Sequence, residues 1–257
     1  MVLLEGPRVL TTAVQNGAEI LFVVREEGVH DSPSLPHVEL FSKFEAEVVG
    51  VPSGSLKEFA ATDNPQGVLA VAREPRTDLT TPQRTAGSLA SSCTLILDGV
   101  QDPGNAGTLV RSAAALGVGR VFRLDGTADL WSAKAVRASA GLAFHLPIHT
   151  LDWERTEAWI EAAEVPLLVA YPQGQDVREW LRSHGGEDIL DRQFGGWALL
   201  MGNETVGPRW EALEAAAAQL SIPVPPGVDS LNVAMAGAIL LWTLGPGREF
   251  EPGRSLG

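Results

Sequence analysis

The chain has 257 residues, enough for one large or two small domains, and 45% of them are hydrophobic, as in ordinary globular proteins. No apolar run reaches the roughly 18 residues of a membrane span and MVLLEGPRVL lacks a signal-peptide pattern, which together predict a cytoplasmic protein without membrane attachment. The formal net charge of −13 argues against a general nucleic-acid binder, for which a basic surface is typical.

The first part of the chain predicts a compact α/β module. Apolar patterns predict strands at residues 18–24, 45–51 and 67–72, with helices around residues 7–16 and 55–61. From residue 73 to residue 92 the apolar periodicity disappears, and Pro, Thr, Ser and Gly dominate. This composition indicates an interdomain linker.

The next segment, LILDGVQDPGNAGTLVRSAAALGVGRVF at residues 95–122, predicts a strand, a turn at residues 98–104 and a helix over residues 106–116 that ends at Gly117. Asn105, Gly107 and Arg111 are its chemical core. Arg111 is expected in the second turn of the helix, whose N-terminus faces the carboxyl edge of the predicted sheet. In open α/β sheets, ligands bind at that edge.

The second part of the chain alternates predicted strands with helices, which is typical of a mostly parallel sheet with helices on both faces. The strands are expected at residues 94–98, 120–124, 166–171, 196–201 and 220–223. Five basic side chains cluster beside the first motif with only Asp125 and Asp129 as acidic neighbours, and they predict a local patch that attracts a phosphate backbone. These are Arg111, Arg120, Arg123, Lys134 and Arg137.

Two later segments each join an apolar strand, a Gly/Pro/Asn turn and a helix. They are ALLMGNETVGP at residues 198–208 and LSIPVPPGVDSLNVAMAGAILLW at residues 220–242. With the segment at residues 95–122, they match motifs 1, 2 and 3 of the SpoU (TrmH) family of RNA ribose methyltransferases in order. The chain therefore resembles this family, which belongs to the SPOUT superfamily of knotted enzymes that use S-adenosylmethionine.

The resemblance implies a SPOUT-like α/β fold with a C-terminal trefoil knot at about residues 196–244, preceded by a small α/β substrate-binding domain. The implied domains are residues 1–75 for substrate binding, a linker at 76–92, the methyltransferase domain at 93–247 and a tail at 248–257. EGPRVLTTAV and NPQGVLAVA carry the resemblance in the first domain. Relatives often have a short leader before EGPRVL, so we expect a short or trimmed form of the chain.

The implied reaction is methyl transfer from S-adenosylmethionine to a ribose 2′-hydroxyl, in which the enzyme aligns donor and acceptor and stabilises charge on the oxygen. The family assigns its matching arginine to activation of the hydroxyl, sometimes as a base. Since arginine stays protonated, we favour a guanidinium that clamps phosphate and stabilises the alkoxide. The implied catalytic residues are Arg111, Asn105, Glu204, Ser230 and Asn232, and the implied cofactor-binding residues are Met201, Gly202, Ile222 and Leu231.

Without the resemblance, simpler interpretations hold: Arg111 would be a solvated surface arginine, and Ile222 and Leu231 would be core residues. Ser230 is also a natural N-cap for the last helix. Thr205 stands where the family more commonly has glycine, which puts the shape of the second motif's loop in question. The histidines lack metal-ligand spacing and Cys93 is the only cysteine, so no metal site or disulfide is expected. No GxGxxG follows the first strand of this part, which argues against a dinucleotide-binding enzyme.

Three function classes remain open. The first is an RNA 2′-O-methyltransferase, with rRNA favoured over tRNA because front domains of this type are more usual in rRNA enzymes. The second is a non-catalytic RNA-binding or ribosome-assembly factor on the same scaffold, and the third is a different nucleotide-binding transferase. The resemblance also implies a homodimer through the methyltransferase domain, for which the last helix offers an Ala-rich face. That face comprises Ala234, Ala236 and Ala238 with Met235 and Leu241.

Overall fold

The structure is a computed structural model that describes residues 1–28, 46–60, 65–77, 79, 93–184, 196–227 and 230–245. Most of the predicted linker and all of the predicted tail at residues 248–257 lie outside the described residues. The described chain forms two compact units. The first comprises Met1–Thr77, Asp102–Arg111 and Asp129–Leu146, and the second comprises Asp78–Gln101, Ser112–Ala128 and Pro147–Gly257. The domain boundaries expected from the sequence stay predictions.

Helices of the described residues follow the strands along most of the chain. We number them α1 (Pro7–Gln15), α2 (Pro103–Ala115), α3 (Ala133–Ala138), α4 (Trp153–Ala163), α5 (Val177–Ser183), α6 (Trp210–Ala215) and α7 (Val233–Leu244). A short 3-10 helix at Ser55–Glu58 replaces the longer helix expected at residues 55–61. The division between the two units falls within α2, after Arg111.

The first unit contains a four-stranded mixed sheet. Its strands are β1 (Val2–Glu5), β2 (Ile20–Glu26), β3 (Glu47–Val51) and β4 (Val68–Ala72), in the order β1-β4-β2-β3. Only the pair β2 and β3 is parallel. The three predicted strands and α1 are confirmed within a few residues, whereas β1 was not predicted because its four residues are too short to show a period.

One face of this sheet forms the core of the first unit. Val2 and Leu4 of β1, Val23 of β2 and Ala70 of β4 are buried together with Val9 and Leu10 of α1. These residues alternate along their strands, as expected for a sheet with one face on the core. Val136 of α3 and Phe144 belong to the same core, so the segment Asp129–Leu146 packs with the first unit.

The second unit contains a six-stranded sheet in which all neighbouring strands are parallel. The strands are β5 (Thr94–Asp98), β6 (Arg120–Arg123), β7 (Ile148–Thr150), β8 (Leu167–Asp176), β9 (Ala198–Gly202) and β10 (Ala218–Ser221), in the order β10-β8-β9-β5-β6-β7. Every residue of β5 and β9 is buried, so both faces of the sheet centre are covered. The predicted α/β fold with a mostly parallel sheet is confirmed.

The register of the parallel sheet brings the ends of the motif strands to one edge. Asp98 at the end of β5 pairs with Gly202 at the end of β9, and Ser221 at the end of β10 pairs with Asp176 at the end of β8. The turns of all three motifs therefore leave the sheet at its carboxyl edge, where α/β proteins bind ligands. The trefoil knot stays a prediction. In the described part of the chain, no helix is long and apolar enough to cross a membrane.

Candidate active site

Hydrogen bonds hold the turn after β5 to the turns after β6 and β9. The hydroxyl of Thr127 donates to the carbonyl oxygen of Leu97 at 2.8 Å and accepts a bond from the backbone N–H of Gly99 at 2.9 Å. The side-chain amide of Asn203 donates to the carbonyl oxygen of Gly99 at 2.8 Å. Because Thr127 is buried, this arrangement fixes the backbone of the first motif where it leaves the sheet.

The loop of the second motif folds back tightly on the end of β9. Asn203 Oδ1 accepts bonds from the backbone N–H groups of Thr205 at 2.8 Å and Val206 at 3.0 Å. A side chain on Gly202 would collide with the backbone of Pro208, including its Cα at 2.6 Å from the added Cβ. Glycine is therefore required at position 202 for close backbone approach.

Thr205 does not disturb this loop. Among the described residues, the only non-glycine residues with positive φ are Ala140 and Glu164, so Thr205 occupies a conformation that any L-residue adopts. Gly207, with φ of 81°, supplies the left-handed residue instead. The loop shape, which the departure from the family pattern put in question, is compatible with threonine.

Asp98 and Arg209 form a partly buried ion pair at the carboxyl edge that the sequence analysis did not select. Asp98 Oδ1 accepts bonds from Arg209 Nη2 at 2.6 Å and Nε at 3.0 Å, while Oδ2 accepts a bond from the backbone N–H of Arg209 at 3.0 Å. The side-chain hydrogen bonds to Asp98, together with the negative charge of that carboxylate, raise the pKa of Arg209. The guanidinium also lies 5.6 Å from the ring centroid of Trp153. An aspartate at the end of a buried strand was the available signal.

Met201 and Glu204 differ in their exposure. Met201 is buried in β9, so its side chain is part of the sheet core, and only its backbone is available to a ligand. Glu204 is exposed on the loop of the second motif, where its Oε2 accepts a long bond of 3.5 Å from the backbone N–H of Gln101. This bond brings the loops of the first and second motifs close together within the second unit.

The third motif contributes Ile222, Ser230, Leu231 and Asn232. Ile222 is half-buried directly after β10, and Leu231 is 38% exposed, so neither is a fully buried core residue. Asn232 is the N-cap of α7, because its Oδ1 accepts bonds from the backbone N–H groups of Ala234 at 2.9 Å and Met235 at 3.3 Å. The prediction that Ser230 caps this helix is wrong, since the cap directly precedes the first helical residue and α7 begins at Val233.

Asn105 and Arg111 lie on α2, in the first compact unit. The helix begins at Pro103, earlier than predicted, because Asp102 Oδ1 accepts a bond from the backbone N–H of Asn105 at 2.9 Å and so caps it. Arg111 is consequently in the third turn rather than the second. Its side chain is exposed, and within the described residues it makes no hydrogen bond or ion pair. Asn105 is half-buried in the first turn.

The predicted basic patch is largely engaged in contacts within the chain. Lys134 Nζ pairs with Asp102 at 2.6 Å and thereby lowers the pKa of that carboxyl group. Arg137 pairs with Glu5 at 3.0 Å. Arg123 donates to the carbonyl oxygens of Thr127 at 2.7 Å and Ala128 at 2.9 Å, and Arg120 packs over Trp159. Of the five predicted members, Arg111 is the one whose guanidinium has no such contact among the described residues.

The structure thus groups the predicted residues into two sets. The first set belongs to the carboxyl edge of the parallel sheet in the second unit and comprises Met201, Gly202, Glu204 and the residues of the third motif. Asn105 and Arg111 belong to the first unit. Among the described residues, no group of three or more His, Cys, Asp or Glu side chains is placed to hold a metal ion.

Comparisons with known proteins identify the family. The model of the SpoU rRNA Methylase family matches residues 92–242, which include all three motifs and the whole parallel sheet. The chain belongs to this family. The resemblance drawn from the motifs is therefore confirmed.

Individual proteins of known name align with most of this chain. The human protein named rRNA methyltransferase 3, mitochondrial, is 30% identical, and the alignment covers 94% of this chain and 66% of the human protein, slightly less than two thirds. The Bacillus subtilis protein named 23S rRNA (guanosine(2553)-2′-O)-methyltransferase RlmP is 29% identical over 94% of this chain and 87% of its own length. The family resemblance thus extends over the first unit as well as the second.

A solved SpoU structure supports the same assignment at the level of fold. The crystal structure of the SpoU methyltransferase AviRb from Streptomyces viridochromogenes, in complex with the cofactor AdoMet, is 26% identical and superimposes with a TM-score of 0.78. The match covers 96% of this chain and 89% of AviRb. The chain therefore has the fold of an SpoU methyltransferase.

Proposed function

We propose that this protein is an S-adenosylmethionine-dependent RNA 2′-O-ribose methyltransferase that acts on rRNA. The observation that carries the proposal is the family membership together with a carboxyl edge at which the turns of all three motifs leave the sheet. Two relatives, the human protein and the Bacillus subtilis protein, are named as rRNA methyltransferases, and the second name specifies 2′-O-methylation. The chain retains all five residues that the family resemblance implies for catalysis, and this argues against a non-catalytic factor, since binding alone does not need the set. These residues are Asn105, Arg111, Glu204, Ser230 and Asn232.

The loops of the second unit fit S-adenosylmethionine, which supplies an activated methyl group when bound. Gly202 has no side chain where its backbone meets that of Pro208, and this lets the loop of the second motif lie close against the sheet edge. Ile222 and Leu231 keep exposed apolar surface beside the edge, as walls of an adenine pocket require. We propose that the backbone of Met201 and Gly202 and the side chains of Ile222 and Leu231 hold this cofactor.

Arg111 is the proposed electrostatic catalyst. Its guanidinium carries a permanent charge and offers a fork of donors that matches a phosphate group. Because its side chain is exposed and makes no contact with a described acidic group, its donors are available to RNA. We propose that it clamps the phosphate beside the target ribose and stabilises the alkoxide that develops on the 2′-oxygen.

We further propose that the protein forms a homodimer through α7. Ala234 and Leu241 are buried within the chain, so their expected place in the interface is wrong. The exposed apolar residues are Met235, Ile239 and Trp242, and they recur at helical spacing on one face of α7. Trp242 is 72% exposed, and large exposed aromatic residues are typical of interfaces.

The cytoplasm stays the predicted compartment, although the name of the human relative places that protein in mitochondria.

The proposed reaction is tested by mass spectrometry of ribose methylation. The purified protein is incubated with S-adenosylmethionine and with total rRNA or total tRNA from a strain that lacks it, and the 2′-O-methylated nucleosides are mapped. We expect one new methylated position in rRNA and none in tRNA. Methylation of tRNA alone would favour the tRNA alternative, and methylation of neither, with RNA binding retained, would favour the non-catalytic factor.

The role of Arg111 is tested by two substitutions and a matched control. Arg111→Ala should lower methyl transfer by roughly a hundredfold or more while cofactor affinity stays nearly intact, because the interaction grows in the transition state. Arg111→Lys keeps the charge but loses the fork, so it should recover only a little activity. Arg182→Ala, at an exposed arginine near the end of α5, should leave the rate unchanged. Near-normal turnover of Arg111→Lys would overturn the bidentate clamp.

A further inference from the structure

The half of α2 that carries Asn105 and Arg111 is packed against α3 without room for a side chain between them. A Cβ added to Gly107 would collide with the carbonyl oxygen of Ala135 and would lie 2.8 Å from the Cβ of Ala138. Ala135 and Ala138 are three residues apart, so they present one face of α3 to α2. Gly107, which stands between the two candidate catalytic residues in sequence, therefore serves helix packing.

A different face of α3 is anchored to the mixed sheet of the first unit. We call this sheet together with α1 the front module. Arg137 Nη1 donates to Glu5 Oε2 at 3.0 Å, and the side chain of Glu5, at the end of β1, is only 4% exposed. Val136 is fully buried in the core of the first unit beside the residues of β1 and α1. A buried carboxylate is costly without its cationic partner, so this ion pair strongly favours one docked position of α3.

The turn that follows α3 provides a second attachment to the front module. A Cβ added to Gly141, which has φ of 84°, would lie 2.6 Å from the carbonyl oxygen of Val9 in α1. His145 Nδ1 lies 2.6 Å from Asn16 Oδ1 at the end of the same helix. The segment from α3 to His145 thus touches both β1 and α1, while its opposite face holds α2.

We propose that Glu5, Arg137 and Gly107 are positioning residues that couple the front module to the catalytic turn of α2 through α3. The inference rests on the proposed function, in which the front module holds RNA and Arg111 acts on its ribose and phosphate. RNA bound to the front module is then presented at a fixed distance from Asn105 and Arg111, because β1, α3 and the first turns of α2 belong to one compact unit. The front module contributes to catalysis by alignment as well as by affinity.

The coupling predicts which constants change when it is weakened. Misplacement of α2 by a fraction of an ångström to one ångström affects the transition state more than ground-state binding, and such displacements cost up to about a hundredfold in rate. S-adenosylmethionine affinity depends on loops of the second unit and should stay unchanged. The RNA KM should also change little, since the front module itself stays folded. The signature is therefore a lower kcat at constant KM and constant cofactor Kd.

The first test compares Glu5→Gln with the matched control Glu19→Gln. Glu19 also pairs with an arginine, Arg73, at 2.8 Å. In this pair, however, the side chains of Glu19 and Arg73 are 60% and 59% exposed. We expect Glu5→Gln to lower kcat roughly tenfold to a hundredfold and Glu19→Gln to leave it unchanged. Hydrogen exchange of the amides of residues 105–111 should accelerate in Glu5→Gln and stay unchanged in Glu19→Gln. Arg137→Lys, which retains the positive charge, should restore part of the protection relative to Arg137→Met.

The second test alters the other contact of α3. Gly107→Ala places a methyl group against a backbone carbonyl and should reproduce the kcat effect, whereas Gly50→Ala, where an added Cβ meets nothing within 4 Å, should have none. Unchanged kcat together with unchanged exchange in Glu5→Gln and Gly107→Ala would overturn the coupling. If the wild-type protein transfers no methyl group, the proposed function fails, and the exchange data alone then decide the coupling.

Discussion

The two sheets of this protein differ in how they use their faces. In the mixed sheet of the first unit, one face forms a core with α1 and α3, while Phe22 and Val49 keep 41% and 40% of their surface exposed. In the parallel sheet of the second unit, consecutive residues of β5 and β9 are buried on both faces. A parallel sheet needs crossover connections that cover it, whereas a small mixed sheet keeps an open face.

This difference explains where the functional loops lie. Because the centre of the parallel sheet is covered on both faces, the proposed cofactor contacts lie in the loops at its carboxyl edge, which include those of the second and third motifs. The mixed sheet of the first unit keeps exposed apolar side chains on its other face, and this unit contains residues 102–111 of the first motif. The proposed enzyme therefore combines a parallel sheet that is covered at its centre, for the cofactor, with a mixed sheet that keeps one face exposed, for RNA.

The largest effect is expected from truncation of the core of the parallel sheet. Leu200 of β9 is completely buried, so Leu200→Ala should lower the free energy of unfolding by about 3 kcal/mol through lost burial and a residual cavity. Val49→Ala in β3 removes a partly exposed side chain and should cost less than about 0.5 kcal/mol. Urea denaturation of both variants measures the two values. Equal losses would show that the open face of the first sheet is covered in solution.

A smaller effect is expected from the ion pair at the carboxyl edge. Asp98→Asn removes the charge that accepts three hydrogen bonds from Arg209, and it should cost about 2 kcal/mol in unfolding free energy. It should also weaken S-adenosylmethionine binding, because Arg209 directly follows the loop of the second motif. Glu19→Gln, at the exposed pair in the first unit, should cost less than about 0.5 kcal/mol and leave binding unchanged. Calorimetry of binding and unfolding tests both; a stable Asp98→Asn variant would contradict the structural role of the pair.

The smallest effect concerns pH. His149 of β7 is buried beside Phe122, whose ring also makes an edge contact with Trp159. Burial, with a lesser contribution from Arg120, lowers the pKa of the His149 imidazole. Below about pH 6.5 the unfolded histidine binds a proton that the folded one does not. Stability should therefore fall as pH decreases from about 6.5 toward the lowered folded pKa, at no more than about 1.4 kcal/mol per pH unit.

His149→Gln should remove this part of the pH dependence. Both proteins are compared by urea denaturation between pH 8 and pH 5, with pH 8 as the internal control because the imidazole is neutral there in both states. An unchanged slope in His149→Gln would assign the acid sensitivity between pH 8 and pH 5 to other groups. Asp102 is not one of them, because Lys134 lowers its pKa below the ordinary 3.8 and its contribution is lost only at still lower pH.

Local patterns were sufficient for most elements of the fold. The strand expected at residues 94–98 is observed as Thr94–Asp98. Gly117, two residues after the last residue of α2, has the left-handed conformation expected of a glycine that ends a helix. The exceptions are short elements. Strands β1 and β7, with four and three residues, were not predicted, and they form because the neighbouring strands β4 and β6 offer them hydrogen-bonding partners.

For the candidate site, the sequence by itself determined the three motifs, the family and the residue types available for chemistry, because these depend on order and spacing along the chain. Only the tertiary structure decided how those residues are used. It engaged Lys134 and Arg137 in ion pairs within the chain, left the guanidinium of Arg111 exposed, and paired Asp98 with Arg209, which lies 111 residues away in sequence. Spacing cannot predict such pairings, since burial, exposure and long-range contacts arise only when distant segments pack together.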